Sequence, residues 1–231
     1  IREKIMDISE ATTGNRVIVS VNVIGGVRRD LSPEQVRWML ARLEWVEDEV
    51  KRLEATLMDD YTVKKRTSGK GVLTRAQAYE LGAVGPTSRG SGVAQDARQI
   101  GYHAYGELHF EPVVETDGDC WARNKVRFRE TLASIDLIRR AINRMPDGEV
   151  RAKIKGVKPP QGETVTRVEQ PRGELLYYLK GSGEKTLDRV RIRTPTFANI
   201  PPLLVMLPGH FLSDVPVVTL SIDPCISCTE R

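Results

Sequence analysis

The sequence has 231 residues, of which 35 are Lys or Arg, 31 are Asp or Glu, and 40% are apolar. This length suffices for one large domain or two small ones, and the ordinary glycine, proline and charge contents exclude a disordered or collagen-like chain. A net charge of +4 without a clustered basic element argues against a nucleic-acid partner. The longest uncharged apolar run, 200–207, is far shorter than the roughly 20 residues of a membrane-spanning helix.

Helical patterns dominate the first two thirds of the chain. Residues 1–13 predict a first helix. A capping box at Ser32, followed by proline, begins a long helix with a single apolar stripe. Residues 74–81 predict a short helix capped by its first residue, and residues 118–144 predict a second long helix.

Extended and irregular segments fill the rest. The β-branched run 17–23 predicts a buried strand or extended segment, and the basic residues 64–70 predict a surface loop. Residues 165–180 and 187–193 predict two strands joined by a hairpin around Gly181-Ser182-Gly183. Together these patterns predict a mainly α fold with a small β element, in the α+β class.

Three cysteines are too few for a disulfide scaffold and indicate a reducing compartment. Cys225 and Cys228 form a C-x-x-C, which can bind one metal ion or cycle as a dithiol. Cys120 and the three histidines lie at no spacing typical of a zinc finger, and the histidines are expected to be structural or exposed. From spacing alone, a structural or chance explanation of the C-x-x-C is as strong as a functional one.

The residues around this pair favour the functional explanation of the C-x-x-C. Residues 223–231, D-P-C-I-S-C-T-E-R, resemble the C-terminal signature of [NiFe]-hydrogenase large subunits. Other blocks resemble energy-converting hydrogenases and the related 49-kDa-type subunit of respiratory complex I. These blocks are Ile24-Gly25-Gly26-Val27-Arg28-Arg29-Asp30, Arg89-Gly90-Ser91-Gly92-Val93 with Asp96, Gly118-Asp119 with Arg123, Met145-Pro146, Glu169-Gln170-Pro171-Arg172-Gly173-Glu174, and Thr194-Pro195-Thr196 with Asn199. Because the complex I subunits lack both C-terminal cysteines, the resemblance favours the ferredoxin-linked, energy-converting hydrogenase type.

The resemblance implies a nickel–iron centre with CO and cyanide ligands. It assigns Cys225 as a terminal nickel ligand and Cys228 as a thiolate that bridges nickel and iron. Soft thiolates suit a redox nickel, and a terminal thiolate is basic enough to take a proton. The resemblance further implies a hydrogenase-like helical body over about residues 1–148 and a β-containing, metal-ligand segment over about 149–231.

Four further residues acquire roles by resemblance. Arg172 matches the arginine that lies over the metals and donates to one cyanide, and Thr196 matches the hydroxyl that donates to the other. Pro171 and Asp223 match further residues around the metals. Without the resemblance, Arg172 would be assigned to a surface salt bridge, Thr196 to a turn and Asp223 to a turn or helix cap. Cys120 receives no role and is expected to be a small, partly buried apolar residue.

The implied enzyme interconverts H2 with protons and electrons. It would exchange electrons with ferredoxin through an iron–sulfur small subunit, as a peripheral part of a complex with membrane-embedded subunits on the cytoplasmic side of the cell membrane. A complete site needs two further cysteines from an N-terminal R-x-C-G-x-C motif, which is not among these residues. We therefore expect a C-terminal portion of the subunit that is inactive and free of nickel and iron by itself.

The sequence leaves open one question about the C-terminus and two alternative functions. Arg231 matches either a processed terminus or a branch of the family without a C-terminal extension. The chain could instead be a complex I-like subunit of a quinone oxidoreductase with a vestigial C-x-x-C. A stand-alone thiol-redox or zinc module fits the C-x-x-C but not the other blocks.

Overall fold

The computed structural model describes residues 1–154, 156 and 158–230. The expectation about the terminal Arg231 lies outside the described residues. The chain forms two compact units, each built from two segments. The first unit comprises Ile1–Thr56 and Leu132–Lys158, and the second comprises Leu57–Thr131 and Pro159–Arg231. The predicted division near residue 148 stays a prediction.

About 49% of the chain is helical and 14% is in strands, which confirms the mainly α fold with a small β element. The helices are α1 Arg2–Thr13, α2 Pro33–Asp59, α3 Tyr61–Thr67, α4 Arg75–Glu80, α5 Pro86–Arg89, α6 Tyr105–Leu108, α7 Cys120–Asn143, α8 Pro195–Ala198, α9 Ile200–Met206, α10 Val215–Leu220 and α11 Ile226–Thr229. The strands are β1 Asn22–Val23, β2 Gly26–Val27, β3 Gln161–Gln170, β4 Gly173–Ser182 and β5 Leu187–Arg193, with 3-10 helices at Ala97–Ile100 and Leu212–Asp214. Within the described part of the chain, no helix has the length and apolar character needed to span a bilayer.

The predicted helix starts are confirmed where side chains satisfy the first free N–H groups. At the start of α2, Ser32 Oγ accepts from the Gln35 N–H over 3.2 Å, and Gln35 Oε1 accepts from the Ser32 N–H over 2.9 Å. Thr74 and Gln77 form the same reciprocal pair before α4. Such capping boxes are local, so sequence spacing is enough to predict them.

The first unit is held by the apolar stripe of α2. Met39, Leu43, Val46 and Val50 are buried along this helix, as its three- and four-residue spacing predicts. The run 17–23, predicted as a buried strand or an extended segment, forms a strand only at Asn22–Val23, which pairs in a two-stranded hairpin with Gly26–Val27. Much of the run is exposed, because a β-branched segment becomes a buried strand only where a partner strand and a covering layer exist.

The predicted loop over 64–70 is wrong in its first half. Helix α3 covers Tyr61–Thr67 and begins at Asp60, whose Oδ1 accepts from the Val63 N–H over 2.7 Å. Three of the four basic residues of the segment, Lys64, Lys65 and Arg66, lie in the last turn of α3, where cations interact favourably with the carboxyl end of a helix. The N-cap and the favourable charges therefore stabilise a helix in a segment whose polar composition predicted a loop.

The second unit has an apolar core and a three-stranded antiparallel sheet. The buried core residues are Leu73, Ala78, Ala83, Val93, Cys120, Leu203, Met206, Val218 and Ile222. The sheet order is β3-β4-β5. The predicted single strand over 165–180 is instead two strands with a tight turn at Pro171-Arg172, since Gln170 pairs with Gly173. The predicted hairpin around Gly181-Ser182-Gly183, between β4 and β5, is confirmed.

Candidate metal centre

Cys225 and Cys228 lie on a single helical turn. Cys225 directly precedes α11, and its carbonyl accepts the N–H groups of Cys228 and Thr229, each over 3.1 Å. Both cysteines are half-buried and neither is in a disulfide. The turn therefore presents the two thiols as a pair; their joint role as metal ligands stays a prediction.

The two thiols differ in acidity. A hydrogen bond from the Cys228 backbone lowers the pKa of the Cys225 thiol, and the positive charge of Arg172 adds a smaller lowering. Burial raises the pKa of the Cys228 thiol, and its interaction with Cys225 raises that pKa further. Cys225 is therefore the thiol that ionises first as the pH rises.

Alkylation should follow this order. With iodoacetamide at neutral pH, Cys225 is expected to react faster than Cys228, because the thiolate is the reactive form. Cys120, which is 1% exposed, should stay unmodified as long as the chain is folded. Peptide mass spectrometry of samples quenched at successive times measures all three rates. Faster modification of Cys228 than of Cys225 would contradict the assigned acidities.

Two buried threonines hold the cysteine turn in place. Thr196 Oγ1 accepts from the Cys225 N–H over 3.2 Å, and its hydroxyl also interacts with the Cys228 thiol. Thr194 Oγ1 donates to the Cys228 carbonyl. Thr196 was predicted at the site. Thr194 was noted only within its sequence block, and no local pattern distinguishes it from any other residue before a proline.

Arg172 reaches the segment that leads to the cysteines. Its Nε donates to the Asp223 carbonyl over 2.7 Å and lies 3.2 Å from Asp223 Oδ2, while Nη2 donates to Oδ1 over 3.4 Å. The structure thus brings together two predicted site residues that are 51 positions apart. Asp223 has a φ of 54°, a left-handed conformation that aspartate tolerates better than most residues.

Close backbone contact positions the turn that carries Arg172. A Cβ on Gly85 would lie 2.3 Å from the Arg172 carbonyl oxygen, and one on Gly173 would lie 2.7 Å from the Gly85 nitrogen. Both glycines have positive φ, 66° and 131°. Only glycine fits this contact, so the β3–β4 turn is seated directly on the segment before α5.

The other candidate residues lie as follows. Pro171 is exposed beside Arg172 at the tip of the turn. Cys120 is fully buried rather than partly buried, and its sulfur accepts from Arg123 Nη2 over 3.3 Å. His103 and His109 are exposed, and His210 is structural, since its Nε2 accepts from the Gly71 N–H over 3.0 Å.

A buried charge cluster lies at the base of the Arg172 turn. The Arg89 side chain, 1% exposed, pairs with Glu130, with Glu169 Oε1 at 2.9 Å and with Asp96 Oδ2 at 3.1 Å. Arg98 makes a two-pronged pair with the same Asp96. Burial raises the pKa of Glu169 in spite of Arg89. Sequence reasoning missed this cluster, since no local pattern marks these charges as buried.

The described residues supply two thiols and no larger donor set. Across residues 1–154, 156 and 158–230, no group of three or more His, Cys, Asp or Glu side chains is placed to hold a metal ion. The pair itself suits a soft metal, because both donors are sulfur and one has a lowered pKa. The residues present therefore fit part of a thiolate site, with the rest of its ligands to come from elsewhere.

The chain is similar to proteins named as hydrogenases and to proteins named as NADH-quinone oxidoreductase subunits. It is 42% identical over its whole length to the carbon monoxide-induced hydrogenase of Rhodospirillum rubrum and 38% identical to the membrane-bound hydrogenase subunit alpha of Pyrococcus furiosus. It is 34% identical to an NADH-quinone oxidoreductase subunit of Phocaeicola vulgatus.

The chain spans 64%, 58% and 45% of those three relatives, respectively. All of residues 1–231 match the family described as respiratory-chain NADH dehydrogenase, 49 Kd subunit. This confirms the resemblance inferred from the sequence blocks and the C-terminal signature. The two hydrogenase-named relatives match this chain along its entire length. The chain belongs to the family described as the 49 kDa subunit of respiratory-chain NADH dehydrogenase.

Proposed function

We propose that this chain is part of the catalytic subunit of a [NiFe] hydrogenase that interconverts H2 with protons and electrons. The observation that carries the proposal is the paired presentation of Cys225 and Cys228, with Thr196 bonded to both and Arg172 bonded to the segment before them. The two hydrogenase-named relatives, which match all of the chain, support it.

Cys225 and Cys228 would hold a nickel–iron centre with CO and cyanide ligands, together with two thiolates from outside these residues. When bound, such a centre supplies the heterolytic activation of H2. Sulfur donors suit it because soft thiolates stabilise redox-active transition metals. This chain alone supplies half of the thiolates and is proposed to be inactive by itself.

The chain's own residues bind, orient and move protons. Cys225 Sγ, whose pKa is lowered, would be the group that accepts and releases a proton. Arg172 supplies a positive charge on a planar guanidinium, and Asp223 fixes its orientation through three contacts. Thr196 supplies a buried hydroxyl, and Pro171 stiffens the turn that carries Arg172.

The proposed partners follow from the same assignment. Electrons would pass to or from ferredoxin through an iron–sulfur small subunit. The subunit would lie peripherally on the cytoplasmic side of the cell membrane, within a complex that also has membrane-embedded subunits. The Pyrococcus furiosus relative supports this arrangement, since it is named as a subunit of a membrane-bound hydrogenase.

A second function has its own support. The matched family and several relatives take their names from NADH dehydrogenase or NADH-quinone oxidoreductase. In that case the chain would belong to a complex that reduces quinone, and the C-x-x-C would be vestigial. The two functions differ in whether the cysteines hold metal.

Metal analysis of the full-length subunit, produced with its maturation proteins, separates the two. We expect stoichiometric nickel and infrared bands from iron-bound CO and cyanide, both lost in Cys225→Ser and retained in the control Cys120→Ala. A mature subunit with no nickel and no such bands, in a complex that reduces quinone, would refute the hydrogenase assignment.

A further inference from the structure

Glu169 lies close to the turn that carries Arg172. It is the last residue but one of β3, and the pair that follows it, Gln170 with Gly173, encloses the two-residue turn Pro171-Arg172. A two-residue connection between paired strands has few accessible conformations. The backbone position of Glu169 therefore largely determines where the Arg172 side chain begins.

Both carboxylate oxygens of Glu169 and its backbone N–H are hydrogen-bonded. Its side chain is 4% exposed. Arg89 Nη1 donates to Oε1 over 2.9 Å, and the Ala97 N–H donates to Oε2 over 2.9 Å. The Glu169 N–H donates to the Tyr102 hydroxyl over 3.0 Å. Three hydrogen bonds thus tie this residue to the segment 89–102.

The main partner of Glu169 is itself held from several sides. Arg89 also pairs with Glu130 of α7, and its Nη1 donates to the Gln95 carbonyl over 2.9 Å. Its side chain is 1% exposed, so water does not compete for these bonds. Because Arg89 is fixed, its bond to Glu169 fixes the end of β3 as well.

The Arg172 side chain, in contrast, is held only at its tip. It is 34% exposed, and within the described part of the chain all its hydrogen bonds go to Asp223. A long arginine side chain loses much rotamer freedom when its tip is bound. The contact with Asp223 therefore requires that the backbone of the turn be held in place beforehand.

We propose that Glu169 is a positioning residue for Arg172, whose buried carboxylate holds the end of β3 so that the guanidinium meets Asp223. Glutamate suits this role better than glutamine, because two donors, Arg89 and the Ala97 N–H, each need an oxygen and an amide has only one. The consequence for catalysis rests on the proposed function, whereas the positioning itself does not.

Nuclear magnetic resonance of the metal-free full-length subunit, labelled with ¹⁵N-arginine, tests the positioning. The Arg172 Nε–H donates to the Asp223 carbonyl, so its hydrogen-exchange rate reports on that contact. In Glu169→Gln we expect this rate to rise by about fivefold or more, since one anchoring hydrogen bond is lost. An unchanged rate would overturn the proposal and leave the proposed function untouched.

Glu163→Gln is the matched control. Glu163 lies on the same strand, but its side chain is 55% exposed and pairs with Lys180 far from the turn. The exchange rate of the Arg172 Nε–H in this variant should equal that of the unaltered subunit. An acceleration as large as that in Glu169→Gln would overturn the proposal.

Tyr102→Phe tests the same anchor without changing a charge. It removes only the hydroxyl that accepts from the Glu169 N–H, so the Arg172 Nε–H should again exchange faster. This variant decides the matter if Glu169→Gln fails to fold, because an unchanged rate in Tyr102→Phe would also overturn the proposal.

Turnover of the assembled enzyme tests the consequence for catalysis. Glu169→Gln should keep its nickel and lower H2 turnover by about tenfold, since misplaced groups lose catalytic efficiency. Glu169→Gln combined with Arg172→Lys should be no slower than Arg172→Lys alone, because residues that act through one another are not additive. Additive losses would overturn the proposal. An unaltered enzyme without nickel would refute the proposed function instead, and the exchange rates would still decide whether Glu169 positions Arg172.

Discussion

Replacing Arg89 by Met is expected to lower the free energy of unfolding by about 3–5 kcal/mol, which is typical when one partner of a buried ion cluster is removed. The substitution preserves much of the side-chain volume but leaves Asp96, Glu130 and Glu169 without their shared cation. Arg98 can compensate them only in part, because its direct pair is with Asp96 and it acts on Glu130 and Glu169 through charge alone. Urea denaturation followed by circular dichroism measures the loss.

The free energy of unfolding lost in Arg89→Met should also depend on pH. Burial already raises the pKa of Glu169, and Arg89 is the foremost group that lowers it, so the pKa of Glu169 rises further in the variant. A carboxyl whose folded-state pKa is raised favours folding when protonated and disfavours it as the pH rises through that pKa. The destabilisation should therefore be smaller near about pH 5 than near about pH 8.

The control for this prediction is Arg129→Met. Arg129 pairs with Glu115 on the surface and is 52% exposed, so its removal should cost less than about 1 kcal/mol. If Arg89→Met cost no more than this control, the cluster would not contribute to the stability of the second unit. If its cost were independent of pH, the carboxyl groups would not be the origin of the effect.

The sequence predicted those elements whose causes are local. The reciprocal Ser32–Gln35 and Thr74–Gln77 pairs lie within one turn of chain, so their spacing identified the starts of α2 and α4. The paired cysteines are local in the same sense, since one turn of α11 brings them together.

Features that depend on distant partners were not predictable in this way. The run 17–23 has the composition of a strand but pairs only at its end. The turn at Pro171-Arg172 was hidden within a continuous alternating pattern, and it is fixed by backbone contact with Gly85. No local pattern showed that Arg89 is buried among three carboxylates.

The candidate site depends on both local spacing and contacts between distant parts of the chain. Its thiols follow from local spacing, whereas the approach of Arg172 to Asp223 requires the fold of the second unit. Arg172 is assigned to the site by its resemblance to a family arginine, because no local pattern distinguishes it from a surface arginine. The fold then provides an independent reason, because the turn aims the guanidinium at the segment that carries the cysteines.

If the chain belongs to the proposed hydrogenase, Arg172→Lys is expected to lower H2 turnover of the assembled complex by about 100-fold, the size of effect seen when a preorganised donor is removed from a catalytic site. Lysine keeps the positive charge but loses the planar guanidinium, which contacts the Asp223 carbonyl and carboxylate together. The Arg172 side chain is 34% exposed, so the stability of the chain should change little. Nickel content, turnover and urea denaturation, measured on the same preparation, separate these effects.

Arg167→Lys provides the matched control, since Arg167 lies on β3 and pairs with Glu174 rather than with the cysteine segment. Its turnover should stay close to that of the unaltered enzyme. Unchanged turnover in Arg172→Lys would remove Arg172 from the proposed catalytic machinery. A parallel fall in nickel content would instead make Arg172 a residue needed for loading the metal, because the same contacts to Asp223 also fix the chain that leads into Cys225.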